Sequence, residues 1–287
     1  MSGDGDLRYL ARGTGGYPEQ LLDLHDPPEG LFLRGRPLPA ADRIVAVVGA
    51  RRCSPLGREV ARDLGRGLGR AGWSVGSGAA RGIDAASHEG ALDEGSHTVA
   101  VLGSGIDVAY PPASAGLIER IAATGTVVSE YPPGVPARPF RFPARNRIVA
   151  GLARAVVVVE GEEGSGSLIS AEHALDLGRD VMAVPGAVTN PLAAVPNQLI
   201  RDGAALVRGA VDVLAELGVA TGERAADAVD LTEGERRALE AIADRTLPET
   251  VARALGVPVA EALPLLLSLE LRGLVRSVGG RFERRLV

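Results

Sequence analysis

The chain has 287 residues, 46% of them apolar, and a formal net charge of −5. This length suits one α/β domain with a small appendage, and the apolar fraction supports a packed core and excludes global disorder. No apolar run approaches the roughly 18 to 20 residues that cross a bilayer, and the first residues lack a secretory signal. We therefore expect a cytoplasmic protein without membrane insertion.

Cysteine and histidine are too few and too scattered to form a disulfide or a metal site. The single cysteine is Cys53, and the four histidines lie far apart without the spacing of metal ligands. We therefore expect neither a bound metal nor another cofactor.

Residues 1 to about 42 are rich in glycine, proline and charge, with a short amphipathic piece around residues 17–24. Residues 1–16 are interpreted as an N-terminal tail. The first domain is expected to begin at residue 17 and to end near residue 217, where the next glycine-containing stretch begins.

From residue 43 onwards, apolar strands alternate with segments of helical periodicity, including predicted helices at 56–71 and after Gly82. The predicted strands are 44–48, 73–75, 98–102, 126–129, 155–159, 180–183 and 205–207. Continuous apolar strands that alternate with helices indicate a parallel sheet covered on both faces. The fold class is therefore α/β, an extended Rossmann-like, doubly wound and mostly parallel sheet. In such a sheet, ligands bind beyond the carboxyl ends of the strands.

Residues 218–230 contain Ala, Gly and mixed charges and are interpreted as a linker. After them, Thr232 is expected to cap a helix that runs to about residue 244, with Glu235 completing a capping box. A second helix is predicted at 248–255.

A third helix at 259–272 and a two-stranded hairpin at 274–284, around a Gly-Gly turn, follow. Three helices and a hairpin indicate a small C-terminal winged-helix domain over residues 231–287. Its nine arginines and eight acids give a net charge of only +1. Protein contact or regulation and nucleic-acid contact therefore both remain open as its role.

Four of the predicted strands are followed by glycine-rich loops, at 48–54, 77–82, 103–105 and 164–167. Small residues let the backbone approach an anion, and the start of a following helix supplies free N–H groups and the positive end of its dipole. Arg51, in the first loop, is suited to pair with a phosphate. No loop matches the P-loop pattern and the first lacks a full GxGxxG, so nucleoside triphosphate and dinucleotide binding are disfavoured.

The decapeptide 138–147, RPFRFPARNR, holds four arginines, no acid and two of the four phenylalanines in the chain. Arginines neutralise phosphates, and an exposed aromatic ring offers a stacking face to unpaired bases. We interpret Arg145 and Arg147, which flank Asn146 at a predicted helix start, as phosphate-binding residues, and expect Phe142 to be buried. This combination favours a single-stranded nucleic acid.

Catalytic interpretations of the acidic residues find less support. Asp84 and His88 lie four residues apart and are interpreted as a pair on a helix surface, because no GxSxG motif accompanies them. Glu160 is expected to accept hydrogen bonds from loop amides, while Glu162 and Glu163 are expected to be solvated rather than to act as acids or metal ligands. We therefore expect a protein that is not an enzyme.

Taken in chain order, these motifs resemble the DNA-processing protein A (DprA/Smf) family. The resemblance covers about residues 17–208 and is carried by YP at 17–18 and 110–111, PP at 27–28, GAR at 49–51, SGAARGID at 77–84, GID at 105–107, SE at 129–130, FPARNRI at 142–148, SGSLI at 165–169 and VPG at 184–186. The winged tail also resembles the optional C-terminal module of that family. The resemblance implies homodimers that bind single-stranded DNA without sequence preference and load the recombinase RecA during natural transformation.

By position, Arg51 resembles the phosphate-binding arginine of the family, and Phe140 is the candidate for base stacking. Arg138 or Arg141 would take the role of a nearby basic residue, and the choice between them stays open. The residues that match the anion pocket of the family are Gly78, Ala79, Asn146, Arg147, Ser165, Gly166 and Ser167.

Two alternative functions find less support in the sequence. One is a nucleoside monophosphate hydrolase of the related lysine-decarboxylase-like fold, which is disfavoured because its PGGxGTxxE signature is absent here. The other is a transcriptional regulator whose winged helix reads duplex DNA, which the nearly neutral charge of the module weakens.

Overall fold

The computed structural model describes residues 7–219, 231–243, 246–271 and 274–284. The chain divides into two compact units, Met1–Gly218 and Val219–Val287. The linker predicted at 218–230 lies, from residue 220 onwards, outside the described residues.

A nine-stranded sheet forms the centre of the first unit, in the order β1-β2-β6-β5-β4-β3-β7-β8-β9. Strands β3 to β9 pair with one another in parallel, whereas β2 pairs with β6, and β1 with β2, in antiparallel fashion. The strands are β1 (Arg8–Ala11), β2 (Gly30–Gly35), β3 (Ile44–Val48), β4 (Ser74–Ser77), β5 (Thr98–Leu102), β6 (Thr126–Ser129), β7 (Ala155–Val158), β8 (Asp180–Ala183) and β9 (Ala205–Leu206). The predicted doubly wound, mostly parallel sheet is confirmed.

Seven α-helices cover the two faces of this sheet, and a 3-10 helix over Glu19–Asp23 packs beside them. The helices are α1 (Pro55–Arg70), α2 (Ile83–Asp93), α3 (Ala115–Thr124), α4 (Arg141–Leu152), α5 (Gly166–Asp176), α6 (Ala194–Arg201) and α7 (Ala210–Glu216). Helices α1 and α2 approach so closely that a Cβ at Gly65 would meet the carbonyl oxygen of Ser87. Glycine in α1 therefore sets the distance between the two helices.

The N-terminal segment is more ordered than the sequence suggested. Residues 8–11, interpreted as part of a tail, form β1 and pair with β2, so this part of the interpretation was wrong. Both strands are short, contain arginine or glycine and lie at the antiparallel edge of the sheet. They therefore lack the continuous apolar run that reveals a central strand.

Helix α4 begins earlier than predicted. Asn146 was placed at a helix start, but α4 begins at Arg141, so Asn146 lies in the middle of the helix. Pro143 occupies the first turn of α4, where a missing N–H costs nothing because the first N–H groups have no partner within the helix.

The described residues of the second unit form three helices and a two-stranded antiparallel sheet, as predicted. They are α8 (Glu233–Glu240), α9 (Pro248–Leu255), α10 (Val259–Leu271), β10 (Val275–Val278) and β11 (Arg281–Arg284). The capping box is confirmed, since Thr232 and Glu235 exchange hydrogen bonds at the start of α8. Helix α8 ends at Glu240, before the predicted residue 244, which lies outside the described residues, as does residue 272 at the predicted end of α10.

Among the described residues, no single helix combines the length and apolar composition needed to cross a membrane. Helices α9 and α10 meet that requirement only as a pair bent by 109°.

Candidate functional site

A cleft of about 580 Å³ opens at the carboxyl ends of β3, β4 and β7, where the order of the strands reverses. This is the position at which doubly wound sheets bind ligands. Seven of the twelve residues that the sequence singled out line the cleft, namely Arg51, Gly78, Arg145, Asn146, Ser165, Gly166 and Ser167. The other five lie outside its lining, namely Ala79, Arg138, Phe140, Arg141 and Arg147.

A side-chain carboxylate of the protein itself is bound at the start of α1. Glu160, which follows β7, is buried and accepts hydrogen bonds from the backbone N–H of Ser54 at 2.8 Å and from its hydroxyl at 2.6 Å. Ser54 in turn caps α1 by accepting from the N–H of Gly57 at 2.9 Å. Glu160 thus binds a loop amide, as predicted, and it occupies a position that the first loop had seemed to offer to a phosphate.

Two buried side chains hold the second glycine-rich loop, one through its N–H groups and one through a carbonyl oxygen. Asp84 accepts hydrogen bonds from the N–H groups of Gly78 at 3.2 Å and Ala80 at 3.4 Å, while Arg145 donates to the carbonyl oxygen of Gly78 at 2.6 Å. Between them, Ala79 is buried and adopts a left-handed backbone with φ of 52°. The loop is therefore fixed in its conformation before any ligand arrives.

Arg145 is the most deeply buried arginine of the decapeptide, with only 4% of its surface exposed. It also donates to the carbonyl oxygen of Val101 and lies near Asp84. Burial lowers the pKa of Arg145 to about 10, although the carboxylate of Asp84 opposes this shift. Burial likewise raises the pKa of Asp84, against the effect of Arg145. The two residues support the site rather than forming its solvent-facing surface.

The start of α5 supplies a second wall of the cleft. Ser165 caps this helix by accepting from the N–H of Ser167, and Gly166 is exposed. Asn146 joins this wall to α4, because its side chain donates to the carbonyl oxygen of Gly166 at 3.1 Å and accepts from Arg145 at 3.2 Å. The small residues leave the backbone accessible at the positive end of the helix dipole.

Arg51 presents a free cation to the cleft. It is exposed, and its guanidinium forms no hydrogen bond or ion pair with any residue that the structure describes. Its guanidinium carbon lies 5.2 Å from the ring centroid of Phe142, which in turn stacks on Tyr110 at 5.2 Å. A cation held over an aromatic face in this way is positioned without being neutralised. Phe142 is half-buried, so it is not the buried core residue that the sequence suggested.

The remaining residues at the start of the decapeptide form an arginine–aromatic group beside the cleft. Phe140 has 68% of its surface exposed. The guanidinium carbon of Arg141 lies 4.7 Å from the ring centroid of Tyr131 and 5.5 Å from that of Phe140. Arg138 is exposed and has no side-chain partner among the described residues.

The side chain of Arg147 forms its hydrogen bonds with other residues of the chain. It donates to both carboxylate oxygens of Glu130, at 3.0 and 2.7 Å, and to the backbone oxygens of Asp26 and Ala144. Although burial works against its charge, the hydrogen bonds to Glu130 keep the pKa of Arg147 above its ordinary value. This guanidinium joins α4 to the end of β6 and to the N-terminal segment.

The third glycine-rich loop, at 103–105, does not line the cleft. Gly105 donates from its N–H to the carbonyl oxygen of Val135 at 2.7 Å, and a Cβ at Gly103 would meet the ring of Phe142. This loop is covered by the segment after β6, so its glycines allow close packing. This loop follows the carboxyl end of β5, at the same edge of the sheet, but it does not contribute to the cleft.

Asp84 and His88 do not form the helix-surface pair that their spacing suggested. Both are buried, and the Nδ1 of His88 lies 2.7 Å from the hydroxyl of Thr98 on β5, while Asp84 binds the 78–80 loop. Both side chains are thus covered by other parts of the fold. A spacing of four residues places them near each other on a helix but does not show whether that part of the helix is exposed. Glu162 and Glu163 are exposed, as predicted. Among the described residues, no group of three or more His, Cys, Asp or Glu side chains is arranged to hold a metal ion.

Sequence reasoning named the arginines of this region but missed the residues that position them. Tyr110, Tyr131 and Glu130 were not singled out as functional positions, yet each contacts a residue of the decapeptide. Tyr110 and Glu130 do lie in short motifs of the family resemblance, YP and SE, and these motifs were the available signal.

Comparisons with known proteins show the family of the chain. The family model described as DNA recombination-mediator protein A matches residues 8–218, and the DprA winged helix domain matches residues 222–281. The chain is 45% identical over 200 residues to the DNA processing protein DprA of Streptococcus pneumoniae, covering 70% of this chain and 71% of that protein. It is 36% identical over 279 residues to the protein Smf of Escherichia coli, covering 93% and 75%.

Among solved structures, the chain resembles one that describes the single-stranded DNA binding mode of DNA processing protein A from Helicobacter pylori. The TM-score is 0.66 and the identity 26%, covering 76% of this chain and 98% of that one. With both units matched by family models and relatives matched over most of the chain, the protein belongs to the DNA-processing protein A (DprA/Smf) family.

Proposed function

We propose that this protein binds single-stranded DNA without sequence preference, through non-covalent contacts alone, in DNA processing during transformation and recombination. The family to which the chain belongs is described as a recombination mediator, and the Helicobacter pylori relative is described as binding single-stranded DNA. Both descriptions support the proposal for this chain.

The observation that carries the proposal is the free guanidinium of Arg51 beside the accessible start of α5. Arg51 is held over Phe142 in the lining of the cleft, which also contains Gly166, the exposed first residue of α5. The N–H groups of Ser165 and Ser167 are already engaged, by the backbone oxygen of Glu162 and by the side chain of Ser165, so the backbone of Gly166 is the part of this helix start that faces a ligand. A phosphate between them would receive charge-assisted hydrogen bonds from the arginine and from the helix start.

The neighbouring aromatic surface supports a single strand rather than a duplex. Phe140 is exposed beside Arg138 and Arg141. Unpaired bases are free to stack on such a ring, whereas the bases of a duplex are already stacked on each other. Arg138, Phe140 and Arg141 are therefore proposed to contact the strand outside the cleft.

The finer steps of the function also belong to this proposal. We infer that the protein works in the cytoplasm as a homodimer and delivers its DNA to the recombinase RecA. The family description as a recombination mediator supports the RecA step. The homodimer rests on the resemblance to the DprA/Smf family.

Fluorescence anisotropy with a labelled oligothymidylate and its matched duplex, over a salt series, tests the central claim. We expect tighter binding to the single strand, with log affinity falling linearly against log salt at about −0.7 per phosphate contacted. Equal or tighter binding to the duplex, or binding to neither, would refute the proposal. Screening nucleoside monophosphates for hydrolysis would then address the alternative enzymatic function.

A further inference from the structure

The cleft carries charges of both signs in equal number. Its charged lining consists of three arginines and three acids, namely Arg51, Arg52, Arg145, Asp84, Glu162 and Glu163. Arg145 and Asp84 are buried, and both hydrogen-bond to the 78–80 loop. The charges that remain exposed are therefore those of Arg51 and Arg52 and those of Glu162 and Glu163. The formal charges of these four side chains therefore sum to zero.

The two exposed carboxylates have no structural partner. In the part of the chain that the structure describes, neither Glu162 nor Glu163 forms a side-chain hydrogen bond or an ion pair, and only the backbone oxygen of Glu162 is engaged, by the N–H of Ser165 at 3.0 Å. Glu160, two residues earlier, differs in both respects, because it is buried and pairs with Ser54. The loop therefore uses one acid to hold α1 and leaves two in solvent.

The two carboxylates lie next to the part of the loop that is suited to bind an anion, and their charge disfavours that binding. They immediately precede Gly164 and the start of α5, which is the wall of the cleft best suited to an anion. A phosphate bound between that wall and Arg51 would lie in the field of both carboxylates. Like charges that line the same cleft repel, and the repulsion is screened only in part at moderate salt.

We propose that Glu162 and Glu163 weaken the binding of single-stranded DNA in the cleft and so keep the grip on the strand reversible. This inference rests on the proposed function of the same site. Because exposed charges contribute modestly, each carboxylate is expected to reduce the affinity about 2- to 5-fold at low salt. A strand that is held loosely at this point remains available for transfer to another protein.

The test compares the full chain with E162Q/E163Q, measuring anisotropy of a labelled oligothymidylate over a salt series. E172Q/D176N is the matched control, because it removes two exposed acids from the other part of α5, outside the lining of the cleft. We expect E162Q/E163Q to bind more tightly than both the wild type and the control. The gain should shrink as salt rises, because the Debye length falls from about 10 Å at 0.1 M to about 3 Å at 1 M.

The outcomes separate this inference from the proposed function. Wild-type binding with no gain for E162Q/E163Q, or an equal gain for the control, would overturn the inference alone. A loss of affinity that appears with oligocytidylate but not with oligothymidylate would also overturn it, since the carboxylates would then be accepting hydrogen bonds from bases. Absence of binding by the wild type would overturn both proposals.

Discussion

The carboxylate of Glu160 accepts two hydrogen bonds from Ser54, one from the backbone N–H at 2.8 Å and one from the hydroxyl at 2.6 Å. Ser54 is the N-cap of α1, so the end of β7 is tied to the start of the helix that follows the neighbouring strand β3. This contact therefore joins two elements that border the cleft, and it uses no residue of the lining.

Replacing Glu160 with alanine should therefore lower stability. We expect the free energy of unfolding to fall by about 1.5 to 3 kcal/mol, because charge-assisted hydrogen bonds to a buried carboxylate are lost. Urea denaturation measures the change. Glu162→Ala is the control and should change stability by no more than about 0.5 kcal/mol, since its side chain is exposed and unpaired. Equal effects of the two variants would contradict this role of Glu160.

The sheet could be predicted to different degrees at its centre and at its edge. Strands such as Ile44–Val48 and Thr98–Leu102 were predicted with their observed bounds, because every residue in them is buried and the apolar run is continuous. Arg8–Ala11 was missed because an antiparallel edge strand needs neither continuous apolar character nor length. Its pairing with β2 depends on residues far along the chain, which a local pattern does not contain.

Arg51 is expected to be the strongest single DNA contact in the cleft. Arg51→Ala should weaken single-stranded DNA binding by about 1.5 to 3 kcal/mol, because one charge-assisted contact to a phosphate is lost. Arg201→Ala is a suitable control, since Arg201 is exposed on α6 outside the cleft and its substitution removes the same charge. Anisotropy at near-physiological salt measures both variants. Unchanged affinity of Arg51→Ala would refute this assignment.

Arg147 is expected to act mainly through stability. Only 13% of its side chain and 15% of that of Glu130 are exposed, and their bidentate pairing leaves few donors for DNA. Arg147→Ala should lower the free energy of unfolding by about 1.5 to 3 kcal/mol, because Glu130 loses its partner. The DNA affinity of the folded variant should fall less than that of Arg51→Ala. A stable variant with a large loss of affinity would instead make Arg147 a direct phosphate ligand.

Phe140 is the expected stacking residue outside the cleft. Phe140→Ala should weaken the binding of oligothymidylate by about 1 to 3 kcal/mol, because a base loses its stacking partner. An abasic oligonucleotide of the same length provides the control, since it keeps the phosphates and lacks the bases. Wild type and variant should bind this oligonucleotide equally. Similar losses with both oligonucleotides would show that Phe140 does not act by stacking.

The candidate site illustrates what motif spacing does and does not contain. Glycine-rich loops after strands predicted the edge of the sheet at which Gly78 and Gly166 meet, because parallel strands end on the same side. The roles of individual arginines were not predictable from their positions in 138–147. Arg145 turns inward to the 78–80 loop and Arg147 pairs with Glu130, and both partners come from distant parts of the chain.

His88 is buried on α2 with one nitrogen bonded and one without a partner. The hydroxyl of Thr98 donates to the backbone oxygen of Val75 at 2.8 Å, so it accepts a hydrogen bond from the Nδ1–H of His88 at 2.7 Å. The Nε2 atom is buried and has no partner among the described residues. Burial, together with the charge of Arg145, lowers the pKa of His88 to about 3.

This shift predicts a defined loss of stability in acid. Between pH 6.5 and about 3, the unfolded chain binds a proton at His88 that the folded chain excludes, so the free energy of unfolding falls as the pH falls. Within this range, the free energy of unfolding changes by up to about 1.4 kcal/mol per pH unit because of His88. Above pH 6.5, His88 is neutral in both states and causes no further change. Asp84, whose pKa is raised by burial, has the opposite slope, so the effect of His88 must be isolated by substitution.

His88→Gln provides that comparison, because glutamine keeps a donor for Thr98 and does not titrate. Urea denaturation of both proteins from about pH 7 to about pH 5 should show a steeper decline for the wild type. The variant is expected to be less stable at neutral pH, since its shape differs from that of imidazole, but the two curves should converge as the pH falls. Parallel curves would mean that His88 takes up its proton equally in the folded and unfolded states, and would contradict its burial as a neutral imidazole.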